Sequence, residues 1–236
     1  VCGIESSNPP VLKEVEYYTS HEALILGYEQ ALTRRDSLTG DFYACSAHLL
    51  WIGERTRYPD GAHVEFLRGI HNPVACKIGP QASEDELLRL CDALDPANHP
   101  GRLTFITRFG HKRIEACLPP LVRAVKREGR AVAWCCDPMH GNTSITSAGL
   151  KTRSFDHILR ELRSFFTIHA AEGTVPGGVH FELTGEDVTE CTGGAREIRD
   201  GDLNSRYETT CDPRLNNEQA LEMAFLIVEM LEHRKD

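Results

Sequence analysis

Apolar residues along this chain fall into two kinds of run. Six stretches are almost continuously apolar: EVEYYTS (14–20), FYACSAHLLWIGER (42–55), PVACKIG (73–79), RLTFITRFG (102–110), AVAWCCDPMHG (131–141) and GVHFELTGE (178–186). A strand with one face in water alternates apolar and polar positions, whereas a strand covered on both faces does not. The six stretches are therefore expected to be buried parallel strands. Between them, apolar residues recur at three- and four-residue spacing, the period of a helix lying on a core. That pattern predicts helices in HEALILGYEQALTRR (21–35), SEDELLRLCDAL (83–94), RIEACLPPLVRAVKREG (113–129), FDHILRELRSFFTIHAAEG (155–173) and NNEQALEMAFLIVEMLEHR (216–234). Ser83 and Glu86 have the spacing of a capping box. Pro119 and Pro120 are expected to split the third helix or to mark its start.

Strands alternating with helices at this spacing read as consecutive βα units on a parallel sheet. No linker or low-complexity tract interrupts them, so residues 1–236 are expected to form one domain. Six units fit an open doubly wound sheet, although the glycine fingerprint of a dinucleotide fold is absent. They equally fit a closed (β/α)8 barrel short of two units. Periodicity leaves both open.

Charge narrows the partners. The formal net charge of −9 argues against a nucleic-acid binder, which would carry a basic stripe. No apolar run reaches the roughly 18 residues a membrane span needs, and the opening VCGIESSNPP has no signal-peptide pattern. A cytoplasmic protein is expected. Nine cysteines without a C-x-x-C spacing point to reduced thiols, with Cys135 and Cys136 as small buried hydrophobes on opposite strand faces.

In a parallel barrel, the carboxyl ends of all strands open on one face, where chemistry is done. Glu54 and Arg55, Lys77, Arg108, Asp137 and His140, and Glu182 all fall at such ends. Three cations gathered in an acidic protein point to a ligand with phosphate and carboxylate groups. Taken one at a time, each could simply pair with a neighbouring acid. His140, Glu182 and Asp212 supply one imidazole and two carboxylates, which suits Mn²⁺, Fe²⁺, Co²⁺ or Zn²⁺. The plainer reading makes His140 a structural residue and Asp212 a turn or cap former. Glu22 either lines the same mouth or starts a helix.

WIGERTR, NPVACKIGP, RLTFITRFG, CDPMHGNT, GGVHFELTGEDVTECTGG and RYETTCDPRLN occur in that order. In these motifs the chain resembles the type II family of 3-deoxy-D-arabino-heptulosonate 7-phosphate (DAHP) synthases, from about Cys2 to Glu232. The resemblance implies an α/β fold, a (β/α)8 TIM barrel of which about six βα units lie in this chain. It implies the first step of the shikimate pathway, the metal-dependent condensation of phosphoenolpyruvate with erythrose 4-phosphate. Arg55, Lys77 and Arg108, with Trp51 and Glu54, are the implied phosphoenolpyruvate contacts. His140, Glu182 and Asp212 are the implied metal ligands, with Mn²⁺ or Co²⁺ foremost and Fe²⁺, Zn²⁺ or Cd²⁺ as further candidates. Lys77, His140 and Glu54 are the implied catalytic residues, with Lys77 handling a proton near C2. A cytoplasmic or, in a plant, plastid location follows, with no nucleic-acid or membrane partner.

Family members carry two further strands ahead of the matching region. These hold a cysteine metal ligand, another phosphoenolpyruvate arginine and a Lys-Pro-Arg-Ser/Thr segment for the acceptor phosphate. None of these is placed in this chain. Homo-oligomerisation, or a partner chain that supplies the strands, is therefore expected. The alternatives are a non-catalytic phosphoenolpyruvate-binding or regulatory subunit, and an aldolase with another acceptor.

Overall fold

The computed structural model describes residues 17–232. In chain order it contains β1 (Ser20–Glu22), α1 (Leu26–Leu32), β2 (Leu49–Ile52), α2 (Ala62–Arg68), β3 (Val74–Ile78), α3 (Glu84–Leu94) and β4 (Leu103–Thr107). There follow α4 (Ile114–Arg127), β5 (Val132–Cys136), α5 (Phe155–Ala171), β6 (Gly178–Val179) and α6 (Asn217–Glu232). Two antiparallel pairs, Thr33–Arg35 with Phe42–Ala44 and Thr143–Ile145 with Lys151–Arg153, decorate the loops.

The six numbered strands form one parallel sheet in the order β1-β2-β3-β4-β5-β6. A doubly wound sheet reverses its strand order and carries helices on both faces. Here the order never reverses, and α2 to α6 pack each against the next along one side. Leu50, Ile52, Val74, Cys76, Ile78, Leu103, Phe105, Trp134 and Cys136 point to that side and make the core with the helices. Pro, Gly and the polar residues are kept out of these positions, so burial of the strands and of the helical stripes reinforces itself.

The other face is concave. Register places Glu22 beside Trp51 and Trp51 beside Ala75, with Lys77 beside Ile106 and Ile106 beside Cys135. Four strand spacings separate β2 from β6, about 19 Å in a flat sheet. Yet the rings of Trp51 and of His180, the residue that follows β6, have centroids 5.1 Å apart. The sheet is curled into an arc of a barrel, and this settles the choice that periodicity left open. Among the described residues, β1 and β6 are each paired along one edge.

Several elements differ from expectation. The first strand is displaced to Ser20–Glu22, and residues 14–16 of the expected strand lie outside the described residues. The single strand expected over 42–55 is two, because Cys45–Ala47 turn the chain from the antiparallel pair into β2. The strand expected over 178–186 shrinks to Gly178–Val179, and its continuation makes only a bridge from Leu183 to Leu215. The helix expected over 21–35 is confined to Leu26–Leu32, since 33–35 joins the antiparallel pair. Glu22 therefore ends a strand rather than starting a helix. Helix α4 runs unbroken through Pro119 and Pro120, held by the buried stripe Ile114, Leu118, Leu121, Val122 and Val125. The carbonyls those prolines leave unbonded belong to exposed Glu115 and Ala116, where water can reach. Only half of the capping box forms: Ser83 Oγ accepts from the Glu86 N–H, while the Glu86 carboxylate turns to buried Arg57. Helix α2 is an element that the periodicity does not mark.

Candidate active site

Lys77 sits on the concave face near the end of β3 and is 6% exposed. Its ammonium is ion-paired with Asp137, the fully buried residue that follows β5. The same Asp137 oxygen accepts from His140 Nδ1 at 2.7 Å. The other takes the backbone N–H groups of Met139 and His140 at 3.0 and 3.1 Å. This short-range turn is what an aspartate–proline pair favours, and it leaves His140 Nε2 as the nitrogen that faces outward. That nitrogen lies 3.1 Å from Glu182 Oε1.

Two more clamps complete the arrangement. Arg153 is fully buried and pairs with the remaining oxygen of Glu182, while it also donates to the Pro213 carbonyl at 2.6 Å and to Thr143 Oγ1 at 3.0 Å. Asp212 arrives on the loop before α6, 3.2 Å from Lys151 Nζ. Buried Glu190 holds that loop by accepting from Arg214 N and Nε at 2.8 and 3.0 Å. As a result His140, Glu182 and Asp212 each offer one donor atom, all within 4.8 Å of one another.

The electrostatics keep the acids around His140 ionised. Burial would push the Asp137 carboxyl up, but its bonds to His140 and to Lys77 hold it far below the usual carboxylate range. Glu182 is likewise pulled down to about 2 against the effect of burial, by His140 and Arg153. His140, which burial alone would discharge, is raised to about 9 by Asp137 and Glu182. Both acids are thus held ionised by the cations against them, Lys77, Arg153 and the His140 imidazole. A nitrogen and two carboxylates with a buried aspartate behind the imidazole form a donor set that fits a borderline divalent ion.

The cationic side is continuous with this cage. Lys77 Nζ stands 5.7 Å from the Trp51 ring centroid. Arg108, just past β4, donates through Nη2 to the His140 carbonyl at 3.2 Å. Its Nε is buried with no hydrogen-bond partner among the described residues, a donor left for something else to accept. Glu54 follows β2, pairs with Arg57 and feels the Arg108 charge, yet burial raises its carboxyl above the ordinary value. Arg55 is exposed on the turn beside it, and no hydrogen bond or ion pair ties it into the network among the described residues. His180 stacks edge-on against Trp51, and burial with nearby Lys77 brings it down to about 4, so its ring is neutral.

The expected residues thus gather at one mouth, with Arg55 at its rim. Asp137, Arg153, His180 and Glu190 also take part. Of these four, the sequence marks only Asp137, as a polar residue at a strand end. The eight described cysteines are all free thiols. Among the described residues, no helix is long and apolar enough to cross a membrane.

A curled, consecutively ordered parallel sheet with helices outside, carrying cations and a nitrogen–oxygen donor set at its strand ends, defines the (β/α)-barrel class. Within that class, the profile of the class-II DAHP synthetase family matches residues 1–228, and the chain belongs to this family. It is 53% identical over 229 residues to a phospho-2-dehydro-3-deoxyheptonate aldolase of Streptomyces coelicolor, covering 97% of this chain and 50% of that protein. It is 51% identical over 235 residues to the protein of that name from Mycolicibacterium smegmatis, covering 98% and 50%. A chloroplastic protein of Catharanthus roseus named as a probable enzyme of this type is 52% identical over 230 residues, covering 98% and 44%. The chain spans about half the length of these relatives.

Proposed function

We propose that residues 1–236 form one catalytic barrel domain of a 3-deoxy-7-phosphoheptulonate (DAHP) synthase, carrying its phosphoenolpyruvate-binding and metal-binding parts. The observation that supports this most is the double use of Asp137. One carboxylate holds the Lys77 ammonium and the His140 imidazole, so the anion-binding and metal-binding groups are built as one unit. The names of the relatives point to the same activity.

On this reading His140 Nε2, Glu182 and Asp212 hold the ion, a donor set that suits Mn²⁺, Fe²⁺, Co²⁺ or Zn²⁺, with Mn²⁺ or Co²⁺ the first candidates by family resemblance. When bound, a divalent ion supplies Lewis-acid polarisation of the aldehyde of erythrose 4-phosphate. Lys77 and Arg108, with Arg55 reaching in from the rim, grip the phosphate and carboxylate of phosphoenolpyruvate. Trp51 walls the enolpyruvate in, and Glu54 fixes the cations through Arg57 and Arg108. These contacts aim C3 at the aldehyde carbon, and water adds at C2 before phosphate leaves by C–O cleavage. Lys77 is ion-paired with Asp137 and is the group placed to move a proton near C2. The acceptor phosphate is held by strands that pair with the edges of β1 or β6 left free among the described residues, from a longer polypeptide or from a partner chain.

The test is phosphate release from phosphoenolpyruvate plus erythrose 4-phosphate, with the completing strands present. Release that needs Mn²⁺ or Co²⁺, and that falls at least a hundredfold in Lys77→Ala, supports the reading. Tight phosphoenolpyruvate binding without turnover in that assembly would replace it with a non-catalytic binding subunit.

A further inference from the structure

Helix α5 turns Phe155, Ile158, Leu162, Phe165 and Ile168 onto the sheet, and Glu161 stands in the same stripe. It is 0% exposed. An apolar side chain at this position would suit the packing, and a buried carboxylate costs several kcal/mol unless its oxygens are satisfied. They are satisfied in an unusual way. Glu161 Oε1 accepts from the backbone N–H groups of Phe109 and Gly110 at 2.8 and 2.9 Å, and Oε2 accepts from Asn142 Nδ2 at 2.6 Å. None of these donors carries a charge, so the carboxylate is there for geometry and not to neutralise a cation.

The donors belong to two different loops. Phe109 and Gly110 follow Arg108 at the end of β4. Asn142 ends the turn that presents His140 after β5. Asn142 is itself fixed, since Nδ2 also donates to the Pro138 carbonyl at 2.8 Å and Oδ1 accepts from His111 N–H at 3.0 Å. Above the carboxylate the two loops touch backbone to backbone. Gly110 has φ +81°, and a Cβ on Gly141 would fall inside the van der Waals radius of the Gly110 nitrogen.

We propose that Glu161 is a positioning residue that sets Arg108 and His140 at a fixed separation and so couples anion binding to metal binding, an assignment that rests on the function proposed above. A carboxylate is required because it accepts at both ends. Glutamine would keep the bonds to Phe109 and Gly110 but would set its amide nitrogen against the donor Nδ2 of Asn142. The Glu161→Gln substitution therefore separates the loops while leaving volume unchanged. Asn142→Asp breaks the same bond from the other side, by facing two carboxylates. Together the two substitutions restore a donor–acceptor pair between α5 and the turn with its direction reversed, the amide on α5 donating to the carboxylate on the turn, while the Pro138 carbonyl loses the Nδ2 donor it has in the wild type.

Calorimetric titrations with phosphoenolpyruvate and with Mn²⁺, with the completing strands present as in the activity test above, test this, and the melting temperature is followed alongside. The wild type binds both ligands, and each single variant loses roughly tenfold or more in both affinities, the usual scale for residues that orient ligating groups. The double variant binds both ligands more tightly than Asn142→Asp alone, the lost Pro138 bond keeping it short of the wild type. Loss for one ligand only, a lowered melting temperature with both affinities kept, or no gain of a folded double variant over Asn142→Asp would overturn the proposal. If the wild type binds neither ligand, the functional reading itself fails, and the role of Glu161 fails with it.

Discussion

Asp137 carries more of the site than any other side chain, because four donors converge on it: Lys77, the His140 ring and two backbone N–H groups. Removing one partner of a buried ionic group leaves the others uncompensated. Asp137→Asn is expected to cost about 3–5 kcal/mol of stability, read as a fall in the urea midpoint; a cost under about 1 kcal/mol would contradict the geometry. In the sequence the residue reads as a polar group at a strand end, and the structure puts it there, directly after β5. That reading misses Lys77 because that partner is 60 positions away, and only strand register brings the two together. Arg153 and Glu190 escape notice for the same reason. Each is charged in a polar stretch, and each gains its meaning from a partner 24 to 29 residues distant.

Strands and helices are the most legible level, since burial on both faces and the helical period follow from local spacing. The exceptions arise where tertiary contacts override them. The apolar run 42–55 hides a turn, and α4 passes through two prolines because its stripe is held down along its whole length. Phe105 is fully buried between β4 and the helices and meets Trp134 with ring centroids 5.6 Å apart. Phe105→Ala is expected to lose about 3–5 kcal/mol in denaturant unfolding; a loss below about 1.5 kcal/mol would mean the core is looser than this packing implies. On α5, the spacing 158, 161, 162, 165 puts Glu161 on the buried stripe although its side chain is ionisable. Its acidity gives a further expectation. Burial exceeds the help from the Gly110 and Phe109 N–H donors, and Asp137 adds repulsion, so the carboxyl is raised to about 7 from 4.5. The folded state therefore takes up this proton before the unfolded chain does. The stabilising contribution is complete below about pH 4.5 and is lost as pH rises through about 7, up to roughly 3 kcal/mol in all. The stability difference between wild type and Glu161→Gln, followed from pH 5 to 8, should shift against the wild type as pH rises. A shift in its favour would contradict the assignment.

For the whole molecule, strand order decides the architecture, and the arc decides the chemistry. Consecutive parallel strands with helices on one side can bury their second face only by curling, and curling brings the ends of β2, β3, β5 and β6 within side-chain reach of one another. Six strands can be counted from the sequence, but whether they curl cannot, because curvature is a property of connections and not of any one segment. Removal of divalent ions should leave the helical content intact, since α2 to α6 and the outer strand faces make the core without the mouth; a cooperative loss of far-ultraviolet circular dichroism on chelation would show that the ion holds the fold. The most direct measurement is anomalous diffraction from crystals grown with Mn²⁺ and phosphoenolpyruvate. One manganese peak is predicted within about 2.0–2.3 Å of His140 Nε2, Glu182 and Asp212, with the phosphoenolpyruvate phosphate or carboxylate seated between Lys77 and Arg108. Manganese bound elsewhere, or phosphoenolpyruvate seated away from those two cations, would contradict a single shared mouth.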